Sequence, residues 1–382
     1  MEKTMQKKPI YADNAATTKL NTAAFDAMVP WMKKEFGNAS QTYSFARAPK
    51  KALSEARKVI AECINALPEE IYFTSGGTEG DNWAIKGISF CNYEKREIIT
   101  SVIEHHALLK ACESIERLGY PVEYLNVTRD GVVCPKSLEE IINDRTILVS
   151  VMMVNNETGV IQPVEKLAEI ANKHGALFHT DAVQAVGHLP IDVKRQGIDM
   201  LTASAHKFNG PKGIGFMYVK KGVLISSYMD GGTQERSMRA GTENVAAIVG
   251  MATALKSAYN SINNEITRLV KLRCILIDKL NDAGIDFVVN GNKNTYPGTI
   301  SLSFNNMSGE MLLHRLDLHG IYVSTGSACD SVNARISHVI SAMNIPNSYA
   351  KGTIRISFGK DNTEEEAKII AEELIKIILD VK

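Results

Sequence analysis

The sequence predicts an α/β protein: a large domain on a mostly parallel sheet, joined to a smaller α+β domain. Three observations predict this. From about residue 70, short β-rich runs alternate with amphipathic helical stretches, the rhythm of a parallel sheet with helices on both faces. One run, TILVSVMMV (146–154), is almost wholly apolar, as a strand covered on both faces must be. After about residue 243 the alternation gives way to a long helical stretch and then to a mixture of short strands and helices.

The elements follow in order. EIYFT (70–74) reads as a strand and TEGDNWAIKGI (78–88) as a helix; REIITSV (96–102) is a strand, and HALLKACESIERLG (106–119) a helix. VEYLNV (122–127) is a strand, KSLEEII (136–142) a helix, and 146–154 the long buried strand. PVEKLAEIANKHG (163–175) opens on a first-turn proline, places 164, 167, 168 and 171 on one face, and stops at Gly175. ALFHTD (176–181), IDMLTAS (198–204) and IGFMYVK (214–220) supply further strands. Beyond the helical stretch at roughly 243–282 come DFVVN, TISLSF, the helix GEMLLHRLDLHG, IYVS and TIRISFG. The last helix opens with a capping box, Thr363 and Glu366.

With 382 residues there is room for two domains, and the apolar and charged fractions are ordinary for a soluble protein. Lys+Arg and Asp+Glu are 43 each, so net charge gives no reason to expect direct nucleic-acid binding. No apolar run approaches the ~18 residues that span a bilayer, and the first residues lack the apolar core of a secretory signal. The six cysteines form no CxxC and have no histidine at zinc-finger spacing, so neither a metal site nor a disulfide framework is expected, and the cytoplasm is the expected compartment. Cys63, Cys112 and Cys274 lie in helical patterns beside apolar residues and read as packing residues. Cys329 differs. Its surroundings, STGSACDS (324–331), are small and polar, which suits an accessible, reactive thiol.

Three sites fall at strand ends, where open α/β sheets bind ligands. FTSGGTEGDN (73–82) is a strand, a glycine turn and a helix start whose free N–H groups suit a phosphate, although a plain tight turn also fits. In HTDAVQAVG (179–187), Asp181 ends a buried strand and needs a cationic or strong donor partner; a helix cap is the alternative. In SAHKFNGPKGIG (204–215), Lys207 follows a strand and precedes a glycine turn; a solvated loop lysine is the alternative. A phosphate cradle, a strand-end Asp and a loop Lys are together the parts that hold pyridoxal phosphate: lysine for the Schiff base, carboxylate for the pyridine nitrogen. His105, in IEHHALL (103–109), suits stacking on the ring and moving protons, or simply starting a helix.

With these residues, the chain resembles the cysteine desulfurases of the NifS/IscS type, class-V aminotransferase relatives among the fold-type I pyridoxal-phosphate enzymes. The resemblance runs through YADNAATT (11–18), TSGGTEGDN (74–82), EHHA (104–107), VNNETGVIQP (154–163), HTDAVQAVG, SAHKFNGPKGIG, GGTQERSMRAGTEN (231–244), STGSACDS and TIRISFG (353–359). It implies a seven-stranded, mostly parallel sheet in a large domain of residues 17–258. Residues 1–16 and 259–382 would form the small domain, which carries a mobile cysteine loop at about 324–337. It also implies that Lys207 holds the cofactor and shuttles the Cα proton, that Asp181 meets the pyridine nitrogen, and that Gln184 meets the ring hydroxyl. Gly77, Thr78, Ser204 and His206 would hold the phosphate, and Thr242 the phosphate of the neighbouring subunit in a homodimer. Asn156 and Arg355 would hold the substrate carboxylate, for which a guanidinium fork is suited. Cys329 would take sulfur from L-cysteine as a persulfide and pass it to an acceptor protein for iron–sulfur cluster assembly or tRNA thiolation.

A related pyridoxal-phosphate lyase or aminotransferase without a sulfur-carrying cysteine is the alternative enzyme, and a non-catalytic paralogue acting as a binding subunit the remoter one. The distance from Cys329 to Arg355 resembles the long-loop branch of the family. The chain departs from the family pattern in VNARIS (332–337) after the cysteine, in GNAS (37–40), in Tyr43, and in ending at Lys382 without the longer scaffold-docking tail.

Overall fold

The computed structural model describes residues 9–91, 96–325 and 336–381. Near its start lie β1 (Ile10–Tyr11), α1 (Thr22–Lys33) and α2 (Arg47–Ile64). The predicted elements begin at about residue 70 and include neither helix. Asn21 caps α1 by accepting from the Ala23 amide. In α2, Ala52, Leu53, Ala56, Ile60, Cys63 and Ile64 are spaced three and four apart and buried on one side. Asn65, left-handed at φ 57°, ends α2.

The strand–helix alternation builds the large sheet. Its elements are β2 (Ile71–Thr74), α3 (Gly77–Cys91), β3 (Glu97–Ser101), α4 (His106–Glu116), β4 (Val122–Leu125), α5 (Pro135–Ile141) and β5 (Thr146–Ser150). They continue with α6 (Val164–Lys173), β6 (Leu177–Asp181), β7 (Met200–Ser204) and β8 (Gly215–Val219). The seven strands lie in the order β2-β8-β7-β6-β5-β3-β4, and only β8 runs against its neighbours. Every residue of β3, β5, β7 and β8 is buried, as a sheet covered on both faces requires. The expected strand at 146–154 ends at Ser150; residues 151–154 stay buried but leave the ladder to form the site.

Beyond the sheet, α7 (Val245–Asp282) runs for 38 residues. Its first half packs on α1 and α2, and its second half buries Leu269, Leu272, Leu276 and Leu280. This stripe explains a correction. Cys274 lies off it and is exposed, whereas Cys63 and Cys112 are buried as expected.

The remaining elements are β9 (Phe287–Asn290), β10 (Thr299–Phe304), α8 (Gly309–Leu318), β11 (Ile321–Tyr322), α9 (His338–Ala342), α10 (Asn347–Ala350), β12 (Thr353–Ser357) and α11 (Glu364–Val381). β12, β10 and β9 form an antiparallel sheet, and β1 pairs in parallel with β11. The capping box at α11 is present in both directions, between Thr363 N and Glu366 Oε2 (3.1 Å) and between Glu366 N and Thr363 Oγ1 (3.2 Å).

Candidate active site

The carboxyl ends of the parallel strands converge with β12 on one cavity of about 310 Å³. Gly77 and Thr78 reach it from the start of α3, His105 from the turn after β3, and Asn156 from the segment beyond β5. Asp181 ends β6, Gln184 follows it, and Ser204, His206 and Lys207 come from the end of β7 and its single 3₁₀ turn. Arg355 enters from β12. The sequence-predicted residues so far named all line this one space.

Lys207 is held by the N-terminal segment. Its Nζ donates to the carbonyls of Ala15 (2.6 Å) and Ala16 (2.8 Å), and the Gln184 amide donates to Ala15 O (2.9 Å). The N-terminal segment therefore forms one wall. Asp13 accepts from an Arg355 terminal nitrogen at 2.7 Å, while the other donates to Asn156 O at 2.9 Å. Arg355 Nε has no partner among the described residues. The YADNAATT block contained the signal for this wall, an acidic residue and small residues near the start, but its partners lie some 190 to 340 residues away.

The deep end of the cavity is acidic. Asp181, 5% exposed, accepts from the Val183 amide at 2.8 Å, so the local-cap alternative describes one of its contacts, although no helix follows. Burial raises its carboxyl above the ordinary carboxylate value, against the lowering pull of His105, the Val183 amide and Lys207. Glu104, fully buried, is pushed up to about 8 by burial despite hydrogen bonds from Ser101 and Met152. Asp81 is raised as well, by burial and then by the Asp181 and Glu104 charges. His105 caps α4, its Nδ1 accepting from Ala107 N at 3.1 Å, so in the neutral ring the proton sits on Nε2. Burial keeps that ring below the ordinary histidine value.

The opposite end opens into a hollow of about 330 Å³ lined by Thr17, Ser75, Gly76, Gly77, Thr78, Ser204, His206 and Lys212, among others. Here the first turn of α3 supplies backbone N–H groups and the positive end of its dipole. Gly77 is required by close approach, since a Cβ there would lie 2.7 Å from Val183 Cγ2. Burial would raise the Glu79 carboxyl, but hydrogen bonds from Arg239 (2.8 and 3.0 Å) and Ser75 hold it below its ordinary value. His206 is pushed down to about 4 by burial and by the Lys207 and Lys212 charges, so it is neutral at physiological pH.

The Aminotransferase class-V family matches residues 10–370. A cysteine desulfurase IscS of Dictyoglomus turgidum is 46% identical over 97% of this chain and 95% of its own length. The chain belongs to this family, as a cysteine desulfurase. Among solved structures, a NifS-like protein superposes with a TM-score of 0.92 at 36% identity, covering 98% of this chain and all of the other. SspA in complex with cysteine superposes at 0.82 and 33% identity, covering 91% and 98%.

Cysteine desulfurases of this family depend on pyridoxal phosphate, and the residues here fit that group. The open end offers a helix N-terminus, hydroxyls and Lys212 to a dianion. The buried carboxyls at the deep end face only Lys207 as a fixed cation among the residues lining the cavity in the described chain, besides Arg355, which is engaged by Asp13; a protonated pyridine nitrogen would supply another.

Two predicted residues stand apart. Thr242 lies outside the cavity, in an adjoining hollow with Ser75, Gly213 and Arg239. Its segment is anchored at Glu235, Arg236 and Ser237, three successive left-handed residues (φ 45°, 58° and 65°). A bidentate Arg57–Glu235 pair (2.7 and 2.6 Å) holds that conformation in place. Cys329, with most of the expected loop at 324–337, lies outside the described residues.

Proposed function

We propose that the chain removes sulfur from L-cysteine, giving L-alanine and a persulfide on Cys329, with pyridoxal phosphate in the strand-end cavity. The observation that carries this is the convergence of Lys207, Asp181, His105 and Arg355 on one space. When bound, the cofactor supplies an electron sink for the substrate carbanion. Lys207, steadied by Ala15 O and Ala16 O, attaches it and then moves the proton at the substrate Cα. Asp181 would hold the pyridine nitrogen in its protonated form, Gln184 would meet the ring hydroxyl, and His105 would lie against the ring. Gly77, Thr78, Ser204 and His206 hold the phosphate. Arg355, braced by Asp13, orients the substrate carboxylate together with Asn156.

The sulfur step balances without an added reductant: the Cys329 thiolate bonds the substrate sulfur, the substrate Cβ–S bond breaks, and Cβ takes a proton to become the alanine methyl. The reading includes a homodimer in which Thr242 reaches the neighbour's phosphate, a cytoplasmic location, and an acceptor protein in iron–sulfur cluster assembly or tRNA thiolation. No described helix is long and apolar enough to cross a membrane. It also divides the chain at 17–258 against 1–16 with 259–382, supported by the pairing of β1 with β11.

Peptide mass spectrometry after brief exposure to L-cysteine, with alanine quantified alongside, tests the proposal. A one-sulfur gain on the Cys329 peptide matched by alanine is expected. Alanine formed at full rate by Cys329→Ala would favour a lyase without a sulfur-carrying cysteine.

A further inference from the structure

Lys207 ends a single 3₁₀ turn, Ala205–Lys207, and a turn so short cannot satisfy all of its own carbonyls. Ala205 O accepts from the Phe208 and Gly210 amides at 3.1 and 2.9 Å, so it is served from within the loop. His206 O accepts from the Thr18 amide (2.9 Å) and the Thr18 hydroxyl (2.8 Å), so it is served by the N-terminal segment. Lys207 O accepts from His188 Nε2 at 3.0 Å. His188 has no part in the roles above, and it does not line the strand-end cavity.

His188 reaches the turn from behind. It lies in the segment between β6 and β7 and lines a separate hollow with Phe208 and Tyr296. Gly187, left-handed at φ 81°, lets that segment lie against the residue after Lys207: a Cβ there would be 2.6 Å from Phe208 Cβ. On its other side the His188 ring meets Tyr296. The tyrosine hydroxyl is 3.1 Å from His188 Nδ1, and the ring centroids are 5.1 Å apart.

These two contacts fix where the ring hydrogen sits. A carbonyl only accepts, so His188 Nε2 must carry hydrogen. Burial holds the ring below the ordinary histidine value, so at neutral pH it carries one proton and Nδ1 is bare. Tyr296 therefore donates to Nδ1, and burial raises its phenol, which keeps the hydrogen in place. The opposite tautomer would set a bare nitrogen against Lys207 O. Tyr296 is itself anchored: it is 8% exposed, and its amide donates at 2.8 Å to Gly159 O, in the segment that carries Asn156.

We propose that Tyr296 and His188 form a relay that positions Lys207: the Tyr296 hydroxyl donates to His188 Nδ1, and His188 Nε2 donates to the Lys207 carbonyl, fixing the turn from which the lysine side chain projects. The inference rests on the proposed role of Lys207. No proton moves along the relay, and both groups stay neutral. The bonds from Nζ to Ala15 O and Ala16 O depend on what Nζ carries, whereas the grip on the peptide carbonyl does not. That grip is the one that can hold the lysine through every step, where small misplacements are costly.

Two readouts test this, the first without cofactor. In nitrogen NMR of histidine-labelled apo-protein at neutral pH, the signal lost in His188→Gln should report hydrogen on Nε2 and none on Nδ1. Hydrogen on Nδ1 removes the acceptor that Tyr296 needs and overturns the relay. The second readout is the rate at which apo-protein and pyridoxal phosphate form a borohydride-reducible adduct at Lys207, measured beside kcat and KM for L-cysteine. His188→Leu should lower the attachment rate and kcat about tenfold, with KM changed by less than about twofold. His188→Gln, whose amide can donate to Lys207 O, should return both to within about threefold of the wild type. Tyr296→Phe, which keeps the ring and loses the hydroxyl, should lower both about threefold. Equal rates in the Leu and Gln variants would mean that the ring only fills space, and wild-type rates in Tyr296→Phe would mean that its hydroxyl directs nothing; either result sinks the proposal. An adduct on another lysine would instead defeat the role of Lys207 itself, whatever the apo-protein spectra show of His188.

Discussion

The two ends of the cavity solve opposite problems. The open end presents donors, the first turn of α3, Ser204, Thr78, a neutral His206 and Lys212, and its one acid among the described residues, Glu79, is engaged by Arg239. At the deep end acids gather: Asp181 and Asp81 line the cavity and Glu104 is buried nearby, and burial raises all three carboxyls. Backbone donors at a helix start suit a group that must be gripped, because they are fixed and stay uncharged. A buried acid suits a group whose protonation must be held, because low dielectric magnifies one well-placed charge. Damage at the open end should therefore weaken binding, and damage at the deep end should weaken chemistry.

The largest effect is expected midway between them, at Lys207. Lys207→Ala should lower alanine formation by at least ~10³-fold, since it removes the group proposed both to attach the cofactor and to carry the proton. Mass spectrometry after borohydride reduction should find no cofactor adduct at that position; an adduct on another lysine would break the assignment. Asp181→Ala comes next. Removing one partner of a buried ionic contact should reduce turnover by roughly 10²- to 10³-fold, while cofactor remains measurable by absorbance because the open end is untouched. Near-normal turnover would erase the proposed contrast.

Glu104 sharpens the contrast through stability. Its folded value of about 8 lies above the ordinary 4.5, so the folded state prefers the neutral acid. The contribution is fully present below pH 4.5 and is lost as pH rises towards 8, because the unfolded chain releases its proton first. Glu104→Gln should flatten that decline in urea melts measured between pH 5 and 8, an effect on the order of ~1 kcal/mol or more. His179 has the opposite sign: with a folded value of about 3, it costs stability as pH falls below 6.5. The smallest effect belongs to the open end. Gly77→Ala forces a Cβ to within 2.7 Å of Val183 Cγ2. It should weaken pyridoxal phosphate about fivefold, an overpacking cost of roughly 1 kcal/mol, and excess cofactor should recover much of the lost activity.

Legibility in the sequence followed the same division. The glycine turn at 76–77 could be read because a strand, a turn and a helix start are local features. Asp181 could be read because it ends an apolar strand. Asp81 was missed, although it had a signal: it lies four and seven residues before Ile85 and Ile88 on the buried side of α3. An acid on an apolar stripe asks for a reason, and only the fold brings the Asp181 and Glu104 charges close enough to push its carboxyl up. Asp13 was missed for another reason, since Arg355 is 342 residues away and no periodicity connects them. Cys274 shows the converse error. Its apolar neighbours suggested burial, but only the packing of α7 decides which stripe turns inward.

The sequence by itself determined the alternation of strand and helix, the strand-end positions of Lys207 and Asp181, and the turn that opens α3. These depend on residue order over a few turns, where periodicity and backbone chemistry act directly. The tertiary structure decided the rest: that residues 13–16 wall the cavity, that Arg355 is braced by Asp13, and that three buried carboxyls lie close enough to raise one another. Protonation and charge pairing depend on distance and burial, which only the folded chain defines.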